Sequence, residues 1–310
     1  MVHTPFFDKI TGFLKPGGST VRVTLEVRPD GIAWAVAPAS SAQRFGFSEC
    51  RPARRADALR ALVDEQGWSG CVTDLVLPME QYQVFQMERP NGLDDSELAD
   101  ALKWKLRDLL EFSPADAISD VFPFPSDAAR GRGELVNVVA ARKSLLKELV
   151  QLLQQSGLKT GRINIAELAL RNLVTRLDPD SKGAALVHLR ESYGQIIICR
   201  GPILYLSRRL DVSAAGLRDA ARQENVVQTL ALEIQRSLDY YESQMGQVAP
   251  ATIRLVARDS TLPLASMLSS YLASGVSNLD CSTVGVEEPV DSRCLLAWSA
   301  GLPLAGETGK

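Results

Sequence analysis

Histidine is nearly missing from this sequence: there are two in 310 residues, His3 and His188. Ser-His-Asp catalysis and histidine-rich metal sites are therefore poorly supplied, and His188 is the one imidazole placed to take part in such chemistry. No Cys-x-x-Cys pair occurs. The five cysteines, Cys50, Cys71, Cys199, Cys281 and Cys294, are odd in number and scattered, so they read as reduced thiols of a cytosolic protein and not as a disulfide framework or a zinc site. A surplus of positive charge is also lacking. With 34 Lys and Arg against 37 Asp and Glu, the formal net charge is -3, and nucleic acid is not expected as a partner. Neither G-x-x-x-x-G-K-[ST] nor G-x-G-x-x-G is present, which excludes the common phosphate-binding loops. Residues 1–16 hold no apolar run followed by a small-residue cleavage site, so no signal peptide is expected. The uncharged stretch Ser260 to Leu279 contains six serines and Pro263, and its apolar Leu264, Met267, Leu268, Tyr271 and Leu272 have the one-face spacing of a soluble helix.

What remains is an ordinary globular composition, 45% hydrophobic and 23% charged, which excludes disordered and collagen-like classes and suffices for one large or two ordinary cores. Residues 1–18 form an amphipathic tail. Thr4 can cap, Pro5 suits the first helical position, and Phe6, Phe7, Ile10, Phe13 and Leu14 share a face before Pro16-Gly17-Gly18. Such a helix can dock on the body or be offered to a partner or membrane surface. Alternating Val21, Val23, Leu25 and Val27, the turn Arg28-Pro29-Asp30-Gly31, and Ile32, Trp34 and Val36 predict a hairpin with one buried face.

A helix around Asp57 to Glu65 ends near Gly67, and Val72 to Leu77 reads as a strand. Asp94 and Glu97 have capping-box spacing, with Leu98, Leu102, Leu106, Leu109 and Leu110 as the stripe of one helix. Leu135 to Ala140 predicts a strand, Leu145 to Leu153 a helix closed at Gly157, and Arg162 to Ile165 another strand before a helix from Ala166 to Leu177. The cluster Asp178 to Gly183 is the strongest boundary signal. Beyond it the opening pattern recurs in Ala184 to Leu189, Gln195 to Arg200 and Ile203 to Ser207. A helix through Leu230, Ile234, Leu238 and Tyr241, a strand Thr252 to Ala257 and a last helix Cys294 to Ala300 follow. The expected architecture is α/β with two lobes, 19–180 and 181–310, each opened by a hairpin. The first carries an inserted subdomain over about 79–156, and the last helix can pack back on the first lobe.

Several stretches resemble one family. Ala101-Leu102-Lys103-Trp104-Lys105 with Leu109-Leu110-Glu111-Phe112, Asn137-Val138-Val139-Ala140-Ala141-Arg142-Lys143, and Glu233-Ile234-Gln235-Arg236-Ser237-Leu238-Asp239-Tyr240-Tyr241 are similar, in order, to motifs of the PilM family of pilus-assembly proteins. Departures elsewhere point to its MshI branch, from biogenesis of the mannose-sensitive haemagglutinin (MSHA) pilus. The resemblance implies an actin-like ATPase fold, similar to that of FtsA, with two lobes around a nucleotide cleft. It also implies a cytoplasmic scaffold at the inner face of the inner membrane, held there by the N-terminal cytoplasmic peptide of a bitopic PilN-like or MshJ-like partner.

In such a fold each hairpin grips phosphate through an Asp-x-Gly pattern, the Asp serving Mg²⁺ and water and the Gly letting backbone N–H groups approach. Here the matching positions read Thr24-Leu25-Glu26 and His188-Leu189-Arg190, without either Asp or either Gly. The Gly-Gly pair on the adenosine side corresponds to Ala257-Arg258-Asp259-Ser260. No catalytic or metal-ligating residue is therefore assigned, and the expected cofactor is none, with Mg-ATP as the alternative. His188 reads as a packed or hydrogen-bonded strand residue.

Trp104 and Phe112 are the candidates for partner contact, and packing at the stripe's margin is the competing reading for Trp104. Arg51, Arg54, Arg55 and Arg60 read as a solvated basic face, or as a contact for anionic lipid or an acidic partner. Three functions follow for comparison. One is a pseudo-ATPase scaffold with a peptide groove walled by 79–156; another is an ATP-regulated assembly protein; the third is a sugar-kinase-like enzyme, which would need a cleft carboxylate.

Overall fold

The first strand, β1 (Arg22–Val27), carries the alternation of a strand with one wet face, yet every residue from Val23 to Val27 is buried. Its neighbours explain this. The computed structural model describes residues 21–37, 44–129, 131, 133–258, 262–286 and 288–304; the amphipathic tail 1–18, Asp259 and Ser260 lie outside them. Antiparallel to β1 runs β2 (Gly31–Ala37), and then β3 (Arg44–Glu49). Helix α1 (Arg55–Gln66) ends at Gly67, whose φ of 68° only glycine adopts readily, and leads to β4 (Val72–Leu77), parallel to β1. The sequence then leaves this layer for a second sheet of β5 (Tyr82–Glu88), α2 (Asp95–Leu102), β6 (Ala117–Pro123) and β7 (Leu135–Arg142), ordered β5-β7-β6. Helix α3 (Lys143–Gln155) returns to β8 (Lys159–Ile165), which completes the order β3-β2-β1-β4-β8. β1 is thus the central strand, and a central strand covered on both faces buries its polar positions too.

The insertion ends at Arg142. The sequence places its boundary near 156, but α3 packs on α1 and β8 and forms the helical crossover between the parallel strands β4 and β8. Where β4 meets β8 the register slips, with Thr73 opposite Thr160 but Leu75 opposite Ile163. Asp74 fills the bulge. Its carboxylate accepts from the Arg162 N–H at 2.6 Å and from the Arg22 guanidinium at 2.6 and 2.8 Å, tying three strands together. At the other end of α3's approach, the Asp116 carboxylate accepts from the Ser144 N–H and hydroxyl at 2.9 and 2.6 Å. These two bonds hold its carboxyl below the usual carboxylate range.

The leucine stripe of the inserted subdomain is not one helix. α2 stops at Leu102 and a 3-10 turn, Lys105–Asp108, continues it. Leu98, Leu102 and Leu106 lie in the subdomain core with Met87, Val121, Val136 and Val138. The tighter 3-10 winding turns Leu109 away from that face and leaves it 50% exposed. Glu97 closes the helix start as expected, its carboxylate accepting from the Asp94 N–H at 3.1 Å.

Helix α4 (Ala166–Val174) follows β8, and the described residues divide within it into two units. The first runs up to Ala169 and includes Leu296–Gly301; the second is Leu170–Leu295 together with residues from Leu302 on. The boundary is not the cluster at 178–183. There Asp178 organises a loop of the second unit, its carboxylate accepting from the backbone N–H groups of Lys182, Gly183 and Gly201 at 2.8, 2.9 and 3.3 Å. The second unit repeats the first sheet with β9 (Ala184–Leu189), β10 (Gly194–Arg200), β11 (Ile203–Leu210), α5 (Ala214–Arg218), α6 (Gln223–Ser243), β12 (Thr252–Ala257), α7 (Leu264–Ser269) and β13 (Gly275–Asn278), ordered β11-β10-β9-β12-β13. β9 pairs antiparallel with β10 and parallel with β12, as β1 does with β2 and β4. The serine-rich helix is shorter than its spacing predicts: after α7 the chain becomes strand β13, and Tyr271 is half exposed. The last helix is α8 (Leu295–Gly301). Among the described residues no helix is long and apolar enough to cross a membrane.

Candidate functional site

The two hairpins define each other's register. Arg28 N–H donates to Gly31 O at 2.9 Å across the first turn, and Arg190 N–H donates to Tyr193 O at 2.8 Å across the second. The parallel neighbours agree. Val23 faces Thr73, the second residue of β4, and Ala185 faces Ile253, the second residue of β12. On both counts Glu26 is equivalent to His188 and Arg28 to Arg190. The sequence pattern instead sets Thr24 against His188 and Glu26 against Arg190, so the first hairpin is displaced there by two residues. A displacement of two returns every side chain to its own face, and the hydrophobic pattern is blind to it. In the register set by the turns and the parallel strands, Glu26-Val27-Arg28 is the counterpart of His188-Leu189-Arg190, so the first triplet opens on a carboxylate and both end in arginine.

At the first hairpin, Thr24 is a buried mid-strand residue beside Gly301 of α8 and makes no side-chain hydrogen bond to protein. Glu26 is fully buried and pairs across β2 with Ala33, so it lies in the strand and not at the bend. Its carboxylate lies 3.7 Å from the Arg28 guanidinium, which also reaches Asp30 at 2.9 Å and sits 5.8 Å from the Phe47 ring centroid. Gly31 lies directly under that ring: a Cβ on it would come within 2.5 Å of Phe47 Cζ. Arg28 and Gly31 at the base of the turn are thus buried, while Pro29 at its tip is exposed.

The second hairpin has the same character from different residues. His188 is buried and its Nε2–H donates to Ser292 O at 3.2 Å, the packed strand histidine expected from the sequence. Arg190 is buried, with its guanidinium 5.6 Å from the Tyr193 ring centroid, and Arg209 lies over the same ring at 4.5 Å. Both distances are within cation-π range. Tyr193 is 1% exposed and occupies the place equivalent to Gly31. Ala257 ends β12 and Arg258 follows it in a turn, while the remainder of that motif is outside the described residues. Sequence reasoning missed Arg28, Phe47 and Tyr193. The signal for Arg28 was its place at the start of the Arg-Pro-Asp-Gly turn.

The first unit also contains a groove of about 360 Å³. One wall is Pro52 and Ala53 of the 3-10 turn before α1 with Arg55 and Ala56 at its start; the other is Leu145, Glu148, Leu149 and Leu152 of α3, with Val27 and Gln81 also lining it. The 145, 149, 152 spacing puts three leucines on one side of α3. Arg55 donates to the Arg28 carbonyl at 2.7 Å, which connects the groove wall to the first hairpin turn. Arg54 and Arg60 both reach Asp57, at 3.5 and 3.4 Å, on an exposed face. Trp104 and Phe112 do not line this groove. Trp104 is 71% exposed with the Lys105 ammonium 5.7 Å from its ring centroid, so it does not pack in the core. Phe112 packs against the subdomain core, with the Arg142 guanidinium 4.6 Å from its ring centroid. Among the described residues no group of three His, Cys, Asp or Glu could hold a metal ion.

No family model matches the sequence, and no curated protein matches it significantly. Solved structures do match. A PilM-PilN type IV pilus biogenesis complex superposes with a TM-score of 0.66 at 18% identity, covering 92% of this chain and 97% of that chain. A Bacteroides thetaiotaomicron protein with actin-like ATPase fold and unknown function gives 0.53 at 11% identity, over 89% and 95%. The cytoplasmic domain of EpsL, an inner membrane component of the type II secretion system of Vibrio cholerae, gives 0.50 at 15% identity, over 81% and 94%. With its twice-repeated hairpin sheet and the subdomain inserted after β4, the chain has the actin-like ATPase fold.

Proposed function

We propose that this protein is a PilM-like scaffold of type IV pilus biogenesis, of the MSHA type and the MshI branch. In this reading it works in the cytoplasm at the inner face of the inner membrane, holding the N-terminal cytoplasmic peptide of a bitopic PilN-like or MshJ-like subunit. The observation that carries the reading is the groove between α1 and α3, in a chain that matches a PilM-PilN complex over nearly its whole length. The groove combines a leucine side with polar groups, Arg55, Gln81 and Glu148, that can meet the backbone of an extended peptide. The scaffold needs no hydrolysis, and the hairpin arginines support a pseudo-ATPase.

Titration calorimetry with the first residues of the candidate membrane subunit tests the proposal. Saturable binding that Leu145→Asp abolishes, in a variant that keeps its fold by circular dichroism, is the expected result. Absence of binding by both the peptide and the full-length subunit would overturn it.

A further inference from the structure

The fold implies Mg-ATP, and the residues at both hairpins do not fit it. A nucleotide phosphate needs an approachable backbone N–H and room beside a glycine. At the first hairpin the glycine position is Arg28, and the one glycine of the turn, Gly31, is covered by Phe47. At the second, the glycine position is Arg190 and the turn ends in buried Tyr193, with Arg190 and Arg209 both over its ring. The same kind of contact therefore occurs at equivalent turns of two separately built units, from unrelated aromatics, Phe47 on β3 and Tyr193 in the turn itself.

We propose that these arginine-aromatic contacts are internal locks that replace the nucleotide: Arg28 supplies the positive charge for Glu26 that a metal-bound nucleotide would bring to a hairpin carboxylate, and Arg190 with Tyr193 fills the buried base of the second turn. The first lock bears on the groove. Arg55 is held by the Arg28 carbonyl and lines the groove, so a locked turn keeps that wall in one position. The binding surface is then permanently formed and is not switched by ATP. This last clause rests on the peptide-binding reading; the locks themselves do not.

Three measurements on the full chain decide it. Thermal unfolding of the wild type with millimolar Mg-ATP is expected to show no shift beyond about 1 °C, and a saturable shift of several degrees would overturn the proposal, because a ligand that binds only the folded state raises its stability. Arg28→Gly and Arg190→Gly should each lower the melting temperature of the folded protein; equal stability of both variants would also overturn it. Peptide affinity should be the same with and without Mg-ATP, and a change of tenfold or more would count against the permanent groove. If no peptide binds at all, the functional reading fails while the two thermal measurements still judge the locks.

Discussion

Tyr82 donates its phenolic hydrogen to the Glu167 carboxylate, and both side chains are buried. The same phenolic oxygen accepts from the Ala166 N–H at 3.2 Å. Tyr82 opens β5, the first strand of the inserted subdomain, while Ala166 and Glu167 open α4, so this pair fixes where the subdomain leaves the first sheet. Tyr82→Phe removes one donor and one acceptor from a site without water access. It should cost about 1–3 kcal/mol of stability, measured by urea unfolding. A cost indistinguishable from zero would mean the pair is not formed in solution.

Two neighbouring residues on the α2 extension should behave oppositely. Leu106→Ala, in the subdomain core, should lose about 2–5 kcal/mol through lost burial and a cavity. Trp104→Ala, on the exposed side, should stay within about 0.5 kcal/mol of the wild type. If Trp104 is a partner contact, its replacement weakens binding of the full-length membrane subunit without moving the melting temperature.

The start of α3 should be acid-sensitive. Asp116 is held below the usual carboxylate range by the Ser144 hydroxyl and N–H, so its contribution is present above the unfolded carboxylate value of about 3.9. That contribution falls away as the pH drops through and below this value. The melting-temperature difference between wild type and Asp116→Ala should therefore be largest near neutral pH and shrink below about pH 4.

Gly161→Ala should be destabilising by about 1–3 kcal/mol although it lies outside the core. A Cβ at this position meets the Asp74 carboxylate in the β8 bulge first, then Val72 Cγ1 at 2.9 Å and the Thr73 carbonyl at 3.1 Å. Relief of the collision requires the Asp74 bonds to Arg22 or Arg162 to open. Asp74→Ala with Gly161→Ala should cost less than the sum of the two single changes, which a double-mutant cycle measures.

Much of this architecture was legible in the residues, because periodicity reports burial directly. Val72–Leu77, Ala184–Leu189 and Thr252–Ala257 are bounded as their apolar runs predict, and the helix starting at Asp95 follows its capping pair. Strands β5 and β6 were not legible. Their Gln, Asp and Ser residues interrupt the alternation, and they become strands by pairing with the apolar β7 between them, a nonlocal partner that no window of sequence contains. The stripe through Leu109 failed because a change of winding after Leu102 leaves no mark on the identity of the residues. At the hairpins, the absence of Asp-x-Gly was visible but the register was not, since the hydrogen bonds across the turns and the pairing of the parallel strands fix it. Arg28 was consequently read only as the start of the turn, while Glu26 was given its place and Thr24 that of Glu26.

The paired arginines also constrain how this protein could change. Building an Asp-x-Gly hairpin into the first unit takes both Glu26→Asp and Arg28→Gly, and neither order is free. Removing Arg28 first strips its cation from a fully buried carboxylate, and shortening Glu26 first draws that carboxylate back from the guanidinium it faces. Each of these two single changes is therefore expected to give a less stable protein. The buried carboxylate and the guanidinium beside it are therefore a coupled pair, which is expected to tolerate replacement together better than one at a time.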